Sequence, residues 1–292
     1  MINGEKNSVY STQINEVTQL AEDLWLINEA GSVNCYLLLG ETKAVLIDAG
    51  WGYEDIHPLI RKITDLPVFL VITHGDADHG TGAIHFDRFG IHPLDYGKLL
   101  MNDNPQEKKD MLEHRYTKRP DLRGVIDEAA YSEMHITGEP VFLKDGDVID
   151  LGGRELECVL TPGHSYGHLM FMDRKGKRLF SGDQITDSHN IWHFLSADEQ
   201  APFRTTLHSL KQLKKREAEF AEIYPAHAKT PIGKECLDDL ISCLEWELAE
   251  NYRNDIPFHS YKGDGYRHFY KTVDLIYSDE RLAEYLDTEI MR

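Results

Sequence analysis

The run His74-Gly75-Asp76-Ala77-Asp78-His79 sets two imidazoles and two carboxylates within six consecutive residues. These donors suit zinc, iron or manganese, and a segment so short can bring them onto one or two cations. Three residues of the same chemistry follow, each just past an apolar, strand-like run. They are His164 in Thr-Pro-Gly-His, Asp183 in Ser-Gly-Asp and His227 in Tyr-Pro-Ala-His. Any one of these histidines alone reads as an ordinary core or surface residue. The ordered set, each member at a strand end, reads as a metal site. The chemistry open to such a site is metal-assisted hydrolysis, because bound cations lower the pKa of water from ~15.7 toward ~7. No protein nucleophile is then needed, and no Gly-x-Ser-x-Gly elbow surrounds Ser165 or Ser181.

The elements that must carry these residues are legible as apolar runs between turn residues. Leu24–Ile27, Val33–Leu39 and Ala44–Ile47 read as strands, with Gly40-Glu41 as a turn, and residues 1–16 read as a polar arm. Ile56, Leu59, Ile60 and Ile63 recur at helical spacing. Val68–Thr73 is a buried-looking strand that delivers His74 to its carboxyl end, where ligands gather in open α/β sheets. In an extended loop leaving that strand, residues 74, 76 and 78 project to one side. Strands resume at 141–143, 156–160, 169–172 and 178–180. The pattern predicts a helix over 199–215, a strand at 221–224, and a helix capped by Thr230 with Pro231 in its first turn. Two rounds of strands followed by helices predict two sheets flanked by helices, an α/β (α+β) class.

Residues 95–138 interrupt the pattern. The stretch from Asn102 to Arg123 is rich in charge and reads as a helical insertion, either a lid or a surface excursion. Residues 253–292 form an aromatic-rich extension, so the main domain is expected over 17–252. The formal net charge of -19 argues against nucleic acid and anionic membrane surfaces as partners. No secretion-signal core and no spanning apolar stretch is present in this sequence, so a cytoplasmic location is expected. None of Cys35, Cys158, Cys236 and Cys243 forms a C-x-x-C pair, and they read as buried free thiols. A small-molecule substrate is the expected partner, with a homodimer left open.

The segments IDAG, THGDADHG, TPGHSYGH and SGD, followed by His227, resemble the metallo-β-lactamase superfamily and its glyoxalase II-like metallo-hydrolases, over roughly residues 20–250. The resemblance implies a four-layer αββα sandwich. It implies one metal held by His74, Asp76 and His164, and a second held by Asp78, His79 and His227, with Asp183 bridging. Two divalent ions are implied, zinc first, iron or manganese otherwise. The family's usual motif is His-x-His-x-Asp-His, and Asp76 stands where the second histidine belongs. A carboxylate is a harder donor, which favours iron or manganese or leaves one site weak. His189 or His193 would be the substitute ligand if Asp76 points away. Asp48 is expected to orient a ligand, His168 to make a structural hydrogen bond, and Asp78 to steer the leaving-group proton as well as bind metal. The function implied is attack by metal-bound hydroxide on a small ester, thioester or lactone. The alternatives are a diiron oxidoreductase acting on oxygen or nitric oxide, since flavodiiron members carry a glutamate at the same position, and a non-catalytic metal-binding sensor.

Overall fold

The computed structural model describes residues 8–187, 190–192, 201–249, 251–260 and 263–282. The chain divides into two compact units, Met1–Leu143 with Asp150–Arg154, and Lys144–Ile149 with Glu155–Arg292.

The first unit is built on eight strands in chain order: β1 (Ser8–Ser11), β2 (Asn15–Ala21), β3 (Leu24–Glu29), β4 (Val33–Leu39), β5 (Ala44–Ile47), β6 (Val68–Val71), β7 (Arg88–Ile91) and β8 (Glu139–Phe142). Strands β1–β5 run antiparallel, whereas β5–β8 pair in parallel. Parallel neighbours need crossovers. These are α1 (His57–Ile60), α2 (Ala77–Gly80) with a 3-10 turn at Thr81–His85, and then α3 (Pro93–Asn102), α4 (Pro105–Lys118) and α5 (Glu128–Glu133). Strand β5 is buried throughout and β4 nearly so, which is why both read as unbroken apolar runs rather than alternating ones.

Three expectations change in this unit. The polar arm is partly a strand: Tyr10 pairs with Val17 and stacks on Trp25, with ring centroids 6.4 Å apart. The helix through Ile56 to Ile63 is a single turn, although Ile56, Leu59 and Ile60 are buried as their spacing required. The charged stretch from Asn102 to Arg123 has more apolar anchorage than its composition suggests. Leu112, Tyr116, Leu122, Ile126 and Tyr131 pack with Ala30 and Tyr53. Arg115 lies over the Trp51 ring and donates to Ser32 Oγ. The anchors come from separate short elements, so no single helical stripe reveals them.

The second unit has two sheets. One contains β9 (Val148–Asp150), β10 (Glu155–Leu160), β11 (Leu169–Asp173), β12 (Arg178–Gly182) and β14 (Glu222–Pro225), with β12 and β14 parallel neighbours. The other joins β13 (Asn190–Trp192) to β17 (Val273–Tyr277), which pairs in turn with β16 (Gly263–Tyr270) and β15 (Ile256–Ser260). Two helices, α6 (Phe203–Lys214) and α7 (Glu235–Leu248), bury Phe203, Leu210, Leu213, Cys236, Leu240 and Cys243 against Met170, Leu179, Ile223, Leu275 and Tyr277. The helix expected from Thr230 begins only at Glu235. Ile232 instead exchanges backbone hydrogen bonds with Ile223, at 2.8 and 3.0 Å. All four cysteines are buried and free. No helix among the described residues is long and apolar enough to cross a membrane.

The aromatic extension is thus a sheet built into the core of its unit. Its attachment includes a buried polar network. Tyr277 Oη donates to Asp255 Oδ2 at 2.6 Å, and His268 Nδ1 lies 2.8 Å from Asp255 Oδ1 and 3.3 Å from Glu247 Oε1. Burial, and then the neighbouring Asp255 carboxylate, push Glu247 up to about 8. Its neutral form is favoured in the fold, so this stabilisation is complete below the ordinary carboxyl range and disappears as pH rises through about 8. Glu247→Gln should therefore unfold at a higher temperature than the parent at pH 9 and at nearly the same temperature at pH 5. Each ~1 kcal/mol would appear as ~2–4 °C in a calorimetric melt. Equal melting differences at the two pH values would show that Glu247 is ionised throughout.

Candidate metal centre

The first unit gathers its donors at the carboxyl ends of β5 and β6. Asp48 closes β5 with φ +60, a left-handed conformation that aspartate tolerates better than most residues. Its carboxylate is buried and accepts from Thr73 N at 2.7 Å and Thr73 Oγ1 at 2.9 Å. Asp48 Oδ2 also lies 2.9 Å from His79 Nδ1. A carboxylate can only accept, so Nδ1 of His79 carries the hydrogen and Nε2 keeps its lone pair. Thr73 Oγ1 has committed its own hydrogen to Asp48, so toward His74 Nδ1, 3.0 Å away, it accepts. Both buried imidazoles thus turn a basic Nε2 to the same region, with ring centroids 4.0 Å apart. This carboxylate–imidazole relay is the arrangement that fixes metal-binding histidines.

His74 Nε2 lies 3.3 Å from Asp76 Oδ2, and His79 Nε2 lies 3.7 Å from Asp78 Oδ1. Donors around a tetrahedral cation with bonds of ~2.1 Å stand ~3.4 Å apart, so the donor set fits a metal in both chemistry and spacing. The loop differs from the extended form expected. It is extended at Asp76, with φ -70 and ψ 150, and then turns helical over Ala77–Gly80. Asp78 is therefore presented by a helical turn rather than by strand-like alternation with His74. Gly75 is required here, since a Cβ would lie 2.4 Å from Asp95 O. Helix α3 grips the Gly75 peptide on both sides, through Asp95 Oδ2 to its N–H and Asn102 Nδ2 to its C=O, each at 2.8 Å.

The same helix supplies a residue that sequence reasoning missed. Lys98, 8% exposed, forms an ion pair with Asp76 Oδ1. Its ammonium offsets the charge added where the usual motif has a neutral histidine. Asp76 therefore faces His74 with one oxygen and Lys98 with the other. Nothing local to Lys98 signals this, because the contact depends on how α3 packs over the loop. Close by, burial first and then the carboxylates of Asp48, Glu29 and Asp78 push the Cys35 thiol well above its ordinary range.

The second unit presents its three residues at strand ends as well. Parallel pairing sets Gly182 opposite Pro225. Asp183 and His227 follow these positions, and His227 Nε2 lies 3.2 Å from Asp183 Oδ1, again a spacing that fits a shared cation. His164 lies in the loop between β10 and β11. Thr161 closes that loop by donating its N–H to His168 O at 2.9 Å, and its hydroxyl meets His168 Nδ1 at 3.1 Å. This is the structural hydrogen bond expected of His168. The His164 N–H donates to Gln184 Oε1 at 2.7 Å, and a Cβ on Gly163 would strike the Gln184 amide at 2.0 Å. His189 and His193 lie outside the described residues.

The family model described as the metallo-beta-lactamase superfamily matches residues 28–227. The chain belongs to the metallo-β-lactamase superfamily. An acyl-coenzyme A thioesterase, MBLAC2, of Gallus gallus is 33% identical over 177 residues, covering 56% of this chain and 61% of that protein. The chain thus spans about three fifths of that relative's length. An atrochrysone carboxyl ACP thioesterase of Aspergillus novofumigatus is 25% identical, over 76% of this chain and 55% of its own. The metallo-β-lactamase FIM-1 of Pseudomonas aeruginosa, solved in a mono-zinc form, superposes with a TM-score of 0.57 at 14% identity, over 81% of this chain and 99% of its own. The fold is therefore of the metallo-β-lactamase type. Residues 253–292 fall outside the matched segment, as do residues before 28.

The relay through Asp48 yields a specific expectation for this superfamily member. Asp48→Asn removes the charge behind His79 and exposes its Nδ1 to an amide that can reverse the tautomer. Affinity for the first zinc added to metal-free protein should fall about 10–100-fold, measured by competition with a chromogenic chelator. A change smaller than twofold would mean that Asp48 does not orient His79.

Proposed function

We propose that the chain is a binuclear metal-dependent hydrolase acting on a small acyl thioester, with small esters and lactones as related substrates. The observation that carries this reading is the donor spacing in each unit. Imidazole and carboxylate atoms stand 3.2–3.3 Å apart at His74–Asp76 and Asp183–His227, with His79 held in the right tautomer by Asp48. In this reading His74, Asp76 and His164 hold one ion, Asp78, His79 and His227 hold the other, and Asp183 bridges. Zinc is the proposed metal, with iron or manganese as alternatives, because the donors are nitrogen and oxygen only. Two bound cations supply a Lewis acid and a water acidic enough to ionise near neutrality, at ~7 in strong zinc sites.

The chain's own residues supply the rest. Asp48 and Thr73 keep His79 and His74 in one orientation, so nothing must reorganise as charge develops on a substrate carbonyl. Asp78, partly exposed on its helical turn, has a second oxygen with which to carry a proton to the departing thiolate. Lys98 holds Asp76 by one oxygen and leaves the other for the cation. The choice of thioesters follows the thioesterases among the relatives, both of which act on acyl groups carried by a thiol.

Two experiments test this. Asp183→Ala should lower the metal content of protein purified without added metal and abolish hydrolysis of short acyl-coenzyme A substrates, with an unchanged circular-dichroism spectrum. Full metal occupancy with normal turnover would defeat the two-metal reading. At the position where this chain departs from the usual motif, Asp76→Ala should lose one ion and most activity. Asp76→His should hold two ions well only when combined with Lys98→Met, since an unpaired ammonium beside an imidazole-bound cation is repulsive. If Asp76→His binds both ions equally well with Lys98 present, Lys98 does not compensate the aspartate.

A further inference from the structure

Arg281 lies in the 3-10 turn Asp279–Leu282 that follows β17, well beyond the segment shared with the superfamily. It has no exposed surface. Its guanidinium donates to three backbone carbonyls: Gly163 O at 2.5 Å and Ala201 O at 2.8 Å from Nη1, and His164 O at 3.2 Å from Nη2. An arginine fork offers five donors in a fixed plane and no acceptor, so it suits a cluster of carbonyls that the chain itself leaves facing inward. The same loop is tied elsewhere. Ala201 N donates to Gly163 O at 3.2 Å, and the His164 N–H donates to Gln184. The backbone at His164 is thus held on both sides, by the side chain after Asp183 at its N–H and by the C-terminal extension at its C=O.

The extension has the means to transmit that hold. Val273, Leu275 and Tyr277 of β17 are buried in one core with Phe203 and Leu210 of α6 and Leu240 of α7. Arg281 N bonds back to Ser278 O at 3.1 Å, which fixes the turn directly after the strand. A buried arginine is costly in lost hydration unless its donors are met. A turn that had only to close β17 could do so with an apolar residue.

We propose that Arg281 is a positioning residue for the metal site: it fixes the His164 peptide so that the imidazole is held toward its cation, and it makes the C-terminal extension a working part of the centre. This rests on the reading of His164 as a ligand. The test uses zinc and the full chain, titrated against a chromogenic chelator to give two stepwise dissociation constants, with thermal melts alongside. Arg281→Met should weaken one zinc by about tenfold or more, the scale of losing a partner that orients a metal ligand, and leave the other within about twofold. His164→Ala should weaken the same zinc. Tyr277→Phe, which loosens the extension through its bond to Asp255 and leaves Arg281 in place, should lower the melting temperature without changing the ratio of the two constants. If Arg281→Met does not yield folded protein, Arg281→Lys carries the same comparison, because one ammonium nitrogen cannot occupy the places of both Nη1 and Nη2. Unchanged zinc constants in both arginine variants, or a loss shared equally by both zincs, would overturn the proposal provided His164→Ala loses one. Retention of both zincs by His164→Ala would instead overturn the reading of His164 as a ligand.

Discussion

A carboxylate that is buried must be satisfied by donors or neutralised, and Asp48 is satisfied three times over. Its two oxygens collect the amide and hydroxyl of Thr73 and the ring of His79. Those partners come from the end of β6 and from the helical turn beyond it, so one side chain locks the exits of two adjacent parallel strands together. The backbone reinforces the lock: Asp48 N bonds to Val71 O and Ala49 N bonds to His79 O. The approach is so close that a Cβ on Gly82 would meet Ala49 O at 2.0 Å. His74 and His79 are thereby held in fixed orientations.

Much of this was legible because it is local. Four potential donors within six residues, after an apolar run, stand out whatever surrounds them. The strands β4 and β5 announce themselves because they are buried along nearly their whole length, and β6 because it contains nothing polar. What escaped the sequence depends on distant partners. Ser8–Ser11 is polar and is a strand only because β2 offers its edge. Ile232 fits a helical stripe, yet Ile223 captures its backbone and delays α7 to Glu235. Lys98 and Arg281 carry no local mark, since each draws its meaning from a loop far away in sequence. The expected alternation from His74 to Asp78 is a correct rule for an extended chain, but this chain is extended only as far as Asp76 and is helical from Ala77.

The acidic character of the chain takes on a local form. Net charge alone argues about partners at long range. Around Cys35 of β4, burial first and then the carboxylates of Asp48, Glu29 and Asp78 oppose ionisation of the thiol. Cations stand beside these carboxylates, Arg115 near Glu29 and Lys98 paired with Asp76. The pair Asp76 and Lys98 is formally neutral, as a histidine would be. Residue type and local charge at position 76 are separable, and here a helix outside the loop restores the second.

The pairing of β12 with β14 has a consequence for how this molecule can change. Asp183 and His227 are set by a parallel register between two neighbouring strands, not by the chain that runs from one to the other. The distance between these side chains is therefore insulated from the length of that connection, whose entropic cost rises only slowly as residues are added. Changes in the length of that connection can be accommodated where they spare Gln184, Ala201 and the buried face of α6, which tie into the rest of the unit. Only the remainder of the connection is open ground for evolutionary tinkering and for engineering. A new substrate contact could be grafted there without asking the donors to be found again.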